Sequence, residues 1–191
     1  MTTLAIVQAR TSSSRLPGKV LLPLQGVPLI QFQLERLRRC NRIDRLVLAT
    51  STDPSDDALA DQVAQAGVAV FRGDLNDVLE RFRACAAHER AKVVVRLTGD
   101  CPLADPALID ELVEAFHNGA WDYLANCADD QQLTVPDGFD AEVFKADVLE
   151  RAAAEARLPS EREHVTPWMR SAAAGLRWGH FRHQPVRPYY R

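Results

Sequence analysis

The chain has 191 residues, 47% hydrophobic and 26% charged, the make-up of an ordinary globular protein and long enough for one domain with a sizeable core. Its net charge of −3 excludes a polybasic nucleic-acid binder and gives no general attraction to a membrane surface. Any anion it binds must be captured by a locally basic site.

Residues 1–9 carry neither a basic n-region nor a long apolar h-region, so no signal peptide is expected. No apolar run approaches the ~20 residues that cross a bilayer. Cys40, Cys85, Cys101 and Cys127 form no C-x-x-C pair. Zinc-ribbon and thioredoxin-like readings therefore fail, and four reduced thiols in a cytoplasmic protein are expected.

Leu4 to Ala9 reads as a strand buried on both faces. A polar loop follows, closing at Pro17-Gly18. Pro28 to Cys40 reads as a helix with Ile30, Leu34 and Leu37 on one face and Arg36, Arg38 and Arg39 near its end. Leu46 to Thr50 is a second strand, and Asp57 to Ala66 a helix stopped by Gly67. Val68 to Phe71 is a third strand. Asp74 is a candidate cap for a helix running to about His88. Val93 to Leu97 is a fourth strand, Asp105-Pro106 starts a helix to about Phe116, and Trp121 to Ala125 is a possible fifth strand. This alternation predicts an α/β, doubly wound, mainly parallel sheet in a single domain covering 1–191. Ligands of such sheets bind beyond the carboxyl ends of the strands, which singles out loops 10–19 and 98–105.

Loop 10–19, Arg10-Thr11-Ser12-Ser13-Ser14-Arg15-Leu16-Pro17-Gly18-Lys19, concentrates three cations and four hydroxyls. Arg donates to phosphate as a fork, Lys acts as a point charge, and turn N–H groups add donors. The functional reading is a triphosphate site; the competing one is a solvated loop. It matches neither a Walker loop nor a dinucleotide fingerprint. Asp100 follows the fourth strand and is a candidate Mg²⁺ ligand, since that ion takes one or two carboxylates plus substrate phosphates. Gly-Asp is also a common turn pair.

Taken together, Gln8-Ala9-Arg10-Thr11-Ser12-Ser13-Ser14-Arg15-Leu16-Pro17-Gly18-Lys19 resembles the N-terminal signature of the cytidylyltransferase family. The spore-coat polysaccharide nucleotidyltransferases are the nearest branch, with the CMP-sialic acid and CMP-Kdo synthetases related. Further matching blocks are Arg72-Gly73-Asp74 with Asp77 to Arg81, Arg96 to Leu103, Asp137 to Phe144 and Ser160 to Thr166. The resemblance implies a Rossmann-like fold of the GT-A, nucleotide-diphospho-sugar transferase type. It implies Mg²⁺-dependent transfer of a nucleotidyl group from a nucleoside triphosphate, CTP first among them, to a sugar acceptor for surface polysaccharide, in a cytoplasmic homodimer. Arg10, Arg15 and Lys19 would hold the triphosphate within a nucleotide-binding set that includes Ala9, Ser14, Arg72 and Arg96. Lys19, Arg15 and Asp100 would carry catalysis, with Asp100 on the metal.

An acidic or otherwise activated sugar would lie near Asp137, Asp140, Glu142 and His164. The spacing Asp140-x-Glu142 puts both side chains on one face of a strand, for acceptor hydroxyls or the metal, or else as part of a solvated turn. His164 is a candidate acceptor contact or base, or a structural histidine. Ser160 and Glu163 have the spacing of a capping box. His180-x-x-His183 lacks the neighbours of a metal site, and Trp168, Trp178 and Tyr189-Tyr190 read as core or interface. The resemblance also implies a later Thr-Val-Asp-x-Pro-Glu-Asp-like segment with the second metal ligand, and this sequence contains none. Either the chain is a truncated product or another carboxylate, such as Asp140, substitutes. Two rival readings are a non-catalytic nucleotide-binding relative and a GT-A glycosyltransferase. The latter normally carries Asp-x-Asp where this chain has Gly99-Asp100-Cys101-Pro102.

Overall fold

A computed structural model describes residues 2–13, 16–127 and 134–184. Nine strands and six α-helices are formed by those residues. Seven strands make one sheet in the order β5-β4-β1-β6-β8-β7-β9. These are β1 (Thr3–Gln8), β4 (Arg45–Ser51), β5 (Ala69–Gly73), β6 (Val93–Thr98), β7 (Tyr123–Ala125), β8 (Glu142–Lys145) and β9 (Trp178–His180). The strands β2 (Pro23–Leu24) and β3 (Val27–Pro28) form a separate hairpin. The helices are α1 (Leu29–Leu37), α2 (Asp57–Gln65), α3 (Val78–His88), α4 (Pro106–Asn118), α5 (Ala146–Glu155) and α6 (Pro159–His164).

The middles of the central strands are apolar on both faces, as in Leu4 to Val7 of β1 and Val93 to Val95 of β6, because both faces are covered. Alternate side chains of a strand point to opposite faces. Leu4 and Ile6 of β1 therefore pack with Leu79 and Phe82 of α3 and Leu149 of α5. Ala5 and Val7 pack on the other side with Leu34 of α1, Val63 of α2 and Leu112 of α4. This is the doubly wound arrangement the sequence predicts. Strands β5, β4, β1 and β6 are parallel. The sheet departs from the predicted pattern on its other side, where β8 runs antiparallel between β6 and β7. The chain reaches β8 through the loop bearing Asp137 and Asp140, and that reversal brings the loop to the carboxyl end of β6.

Several helix ends differ from the sequence reading. Asp77, not Asp74, caps α3, accepting from the Glu80 N–H at 3.0 Å. Asp74 instead accepts from the N–H groups of Asn76 and Asp77, each at 2.8 Å, closing the turn one step earlier. Glu161, not Glu163, closes the start of α6, accepting from the N–H groups of Arg157 and Leu158 at 2.9 Å. Helix α1 ends at Leu37, so Arg38 and Arg39 lie beyond it. Gly67 stops α2 as predicted, in a left-handed conformation with φ 73°.

Candidate active site

A continuous cleft lies across the carboxyl ends of β1 and β6. One half, about 380 Å³, is lined by Ala9, Arg10, Ser13, Lys19 and Asp100, with Gly99 behind them. The other half, about 240 Å³, is lined by Asp137, Asp140, Glu142, Thr166 and Arg170. Arg96, Thr98 and His164 line both halves. The two loops singled out by position thus meet in one half, and the later acidic block forms the other.

Close backbone approach builds the first half. The Gly99 N–H donates to the Gln8 carbonyl at 2.8 Å. A Cβ on Gly99 would lie 2.7 Å from Ala9 Cβ and 3.0 Å from that carbonyl, so glycine alone lets the ends of β1 and β6 pinch together here. Lys19 leads into a short 3₁₀ turn (Lys19–Leu21) entered through Gly18 at φ 70°. Its Nζ donates to Asp100 Oδ2 at 2.9 Å. Both side chains remain partly exposed, so the pair adds little stability and stays open to ligand. Burial opposes ionisation of Asp100, but the hydrogen bonds from Lys19 and Thr98 together with the Lys19 charge hold the carboxyl below its ordinary value. Arg10 lies 3.6 Å from Glu163, which is where Glu163 is used instead of in a cap.

The second half rests on a buried ion pair. Arg96 of β6 and Glu142 of β8 are register partners across the antiparallel ladder. The Arg96 Nη1 donates to Glu142 Oε2, while the Tyr123 hydroxyl and the Thr166 hydroxyl donate to Oε1 at 2.6 and 2.7 Å. Burial opposes the Glu142 charge, but Arg96 and these donors hold its carboxyl below the usual range. Asp140 lies just before β8 rather than on it, yet it lines the same half as Glu142. Burial, then the charges of Asp137, Glu142 and Asp100, push its carboxyl above the ordinary value. Val165 sits between two cleft residues with φ 71° and ψ −53°. The Thr166 N–H donates to the His164 carbonyl at 2.8 Å, a tight γ-turn that costs a β-branched residue of order 1–3 kcal/mol. The turn directs His164 to the cleft while Thr166 reaches Glu142.

Of the residues singled out in the sequence, Ala9, Arg10, Lys19, Arg96 and Asp100 line the first half, and Asp137, Asp140, Glu142 and His164 the second. Ser14 and Arg15 lie outside the described residues. Arg72 lines neither half. On β5 at the far side of β4, its Nε and Nη2 donate to the carbonyls of Ser51 and Asp53 at 2.8 and 3.1 Å, and it pairs with Asp57 at 2.6 Å. Sequence reasoning missed Gln8, Thr98, Cys127 and Arg170. Gln8 and Thr98 end their strands at the favoured edge and were findable on that ground; Arg170 follows the last matching block and carries no pattern of its own.

Among the described residues, no group of three or more His, Cys, Asp and Glu converges as a complete metal shell. Asp100, ionised and presenting hard oxygen in the half that holds Lys19 and Arg10, fits a divalent cation that takes most of its shell from ligand phosphates and water. No helix among the described residues is long and apolar enough to cross a membrane.

A family model described as cytidylyltransferase matches residues 4–190. The spore coat polysaccharide biosynthesis protein SpsF of Bacillus subtilis (strain 168) is 36% identical over 176 residues, 90% of this chain and 71% of that protein. The structure of a cytidylyltransferase from Leptospira borgpetersenii serovar Hardjo-bovis (strain JB197) superposes with a TM-score of 0.92 at 34% identity, covering 100% of this chain and 80% of that one. A CMP:2-keto-3-deoxy-manno-octonic acid synthetase complexed with CTP shares the fold, with a TM-score of 0.75 at 18% identity over 96% of this chain and 90% of that one.

Proposed function

The chain belongs to the cytidylyltransferase family, and from that premise we propose that it activates an acidic sugar with CTP, releasing pyrophosphate, for surface polysaccharide synthesis. The observation that carries this reading is the two-part cleft, with a cationic half and a hydroxyl-reading half that share Arg96, Thr98 and His164. CTP is the nucleotide in the fold neighbour's complex, and spore coat polysaccharide biosynthesis is the process named for the Bacillus relative. The reading places the reaction in the cytoplasm, where nucleoside triphosphates are made.

The acceptor oxygen attacks the α-phosphorus as the bond to pyrophosphate breaks. Catalysis consists of positioning and charge stabilisation. Lys19 and Arg10 neutralise phosphate oxygens, and the Gly99 pinch brings the backbone of β6 close to them. When bound, a divalent cation held by Asp100 adds charge neutralisation at the same oxygens. In the acceptor half Arg96 is already matched by Glu142, whereas Arg170 has no carboxylate within ion-pair distance among the described residues. Arg170 is then the cation that meets the acid group of the sugar, with Asp137 and Asp140 accepting from its hydroxyls.

The test is to incubate the chain with each nucleoside triphosphate, Mg²⁺ and a panel of acidic sugars, and to follow pyrophosphate. Release is expected with CTP and a subset of the sugars. No release with any pair, from a chain shown to be folded, overturns the proposal.

A further inference from the structure

Thr11 is the knot of the phosphate-facing loop. Its carbonyl accepts from the N–H groups of Ser13 and Gly18, both at 2.8 Å, so the two described ends of the loop close on one peptide. Its own N–H donates to Asp56 Oδ1 at 2.7 Å. Its hydroxyl lies 2.8 Å from both Asp56 Oδ1 and the Ser55 carbonyl. The loop is therefore moored to the segment after β4, and the mooring post is a carboxylate with 0% exposure.

Asp56 is itself fixed from several sides. Its second oxygen accepts from the Ser51 N–H at 3.3 Å and from the Ser51 hydroxyl. Burial opposes its charge, but the hydrogen bonds from Ser51 and Thr11 outweigh it and keep the carboxyl below its ordinary value. Arg81 of α3, also buried, supplies opposing charge nearby. Arg72 clamps the same segment through Ser51, Asp53 and Asp57. The segment thus has a buried anion, a buried cation beside it and a bridging arginine, none of which touches the cleft.

We propose that Asp56 is a positioning residue for triphosphate: through Thr11 it fixes the backbone next to Arg10 and, by the Gly18 N–H, next to Lys19, and Arg72 holds the Asp56 segment without touching the nucleotide. The inference rests on the nucleotidyltransferase reading above. An untethered loop must be ordered when the anion binds, so cutting the tether weakens phosphate binding and leaves contacts elsewhere in the cleft intact.

The experiment is calorimetry on the full chain with inorganic tripolyphosphate, CTP and cytidine as probes. Asp56→Asn, Thr11→Val and Arg72→Met are compared with Thr11→Ser, which keeps the hydroxyl. The first three are expected to weaken tripolyphosphate and CTP by about tenfold while cytidine binding stays within about twofold. Thr11→Ser is expected to match the wild type. Thermal melting identifies variants that fail to fold. If Asp56→Asn fails, Thr11→Val and Arg72→Met decide the matter. Folded variants that bind tripolyphosphate like the wild type, or that lose cytidine binding in equal measure, overturn the inference alone. A wild-type chain that binds neither tripolyphosphate nor CTP overturns the triphosphate reading and this inference with it.

Discussion

Arg96 and Glu142 face each other across the antiparallel β6–β8 pair and form a buried ion pair beneath the cleft. Both Glu142 oxygens are occupied by protein donors, so this carboxylate holds the floor of the cleft in shape. Removing one member of a buried pair leaves the other charge uncompensated, at a cost of about 3–5 kcal/mol. Glu142→Ala is expected to lower the unfolding free energy in urea by that amount. Glu142→Gln keeps the volume and one accepting oxygen for the Tyr123 and Thr166 hydroxyls, but its NH2 donates and cannot accept from Arg96, so its cost is expected to fall in the same range.

Lys19 and Asp100 form the opposite kind of pair. Partly exposed, it contributes under about 1 kcal/mol to stability, so Lys19→Met is expected to melt close to the wild type. Its effect belongs to the reaction. Loss of one preorganised cation at the phosphates is expected to lower kcat by about 10²-fold, read by pyrophosphate release. Asp100→Asn is expected to raise the Mg²⁺ concentration for half-maximal rate by at least about tenfold. An unchanged Mg²⁺ titration removes Asp100 from the metal site.

Arg170 separates the two substrates experimentally. Arg170→Met is expected to raise the KM for the acidic acceptor by about 10–100-fold, the worth of a hydrogen bond to a charged group. The KM for the nucleotide is expected to stay unchanged. Equal changes in both would mean that Arg170 shapes the whole cleft and does not read the sugar.

Two carboxylates give pH effects of opposite sign. The Asp56 carboxyl lies below its ordinary value in the folded chain, so its stabilisation is complete at neutral pH and is lost as pH falls through the folded value. Asp56→Asn is expected to cost most at pH 7, with the gap to wild type narrowing below about pH 4, the range of an unfolded aspartate. The Asp140 carboxyl lies above its ordinary value, so its ionisation opposes folding. Asp140→Asn is expected to stabilise at pH 7, and that gain is expected to vanish below about pH 4. Urea titrations across pH check both.

The long elements were legible in the sequence because burial on two faces leaves continuous apolar runs, as in β1 and β6, and because α4 has a consistent apolar stripe. Strands β8 and β9 have four and three residues, too few for a period, and so the antiparallel insertion went unread. The residues proposed for phosphate were visible because their charges cluster within loop 10–19. Asp56 was invisible as a tether, since only the β1–β4 pairing brings it to Thr11. Arg72 sits in a matching block, but its place depends on sheet order, which puts β4 between it and the cleft. Asp74 reads as the cap of α3 in the sequence, but its side chain closes the preceding turn, and Asp77, three residues on, takes the cap.

The wall of Arg96, Thr98 and His164 is common property of the two half-clefts. Whatever one substrate does to its position is felt by the other, and thermodynamics makes the effect mutual: if the nucleotide tightens the acceptor by some factor, the acceptor tightens the nucleotide by the same factor. Neither affinity is then a constant of the protein. Each is a function of the other ligand's concentration.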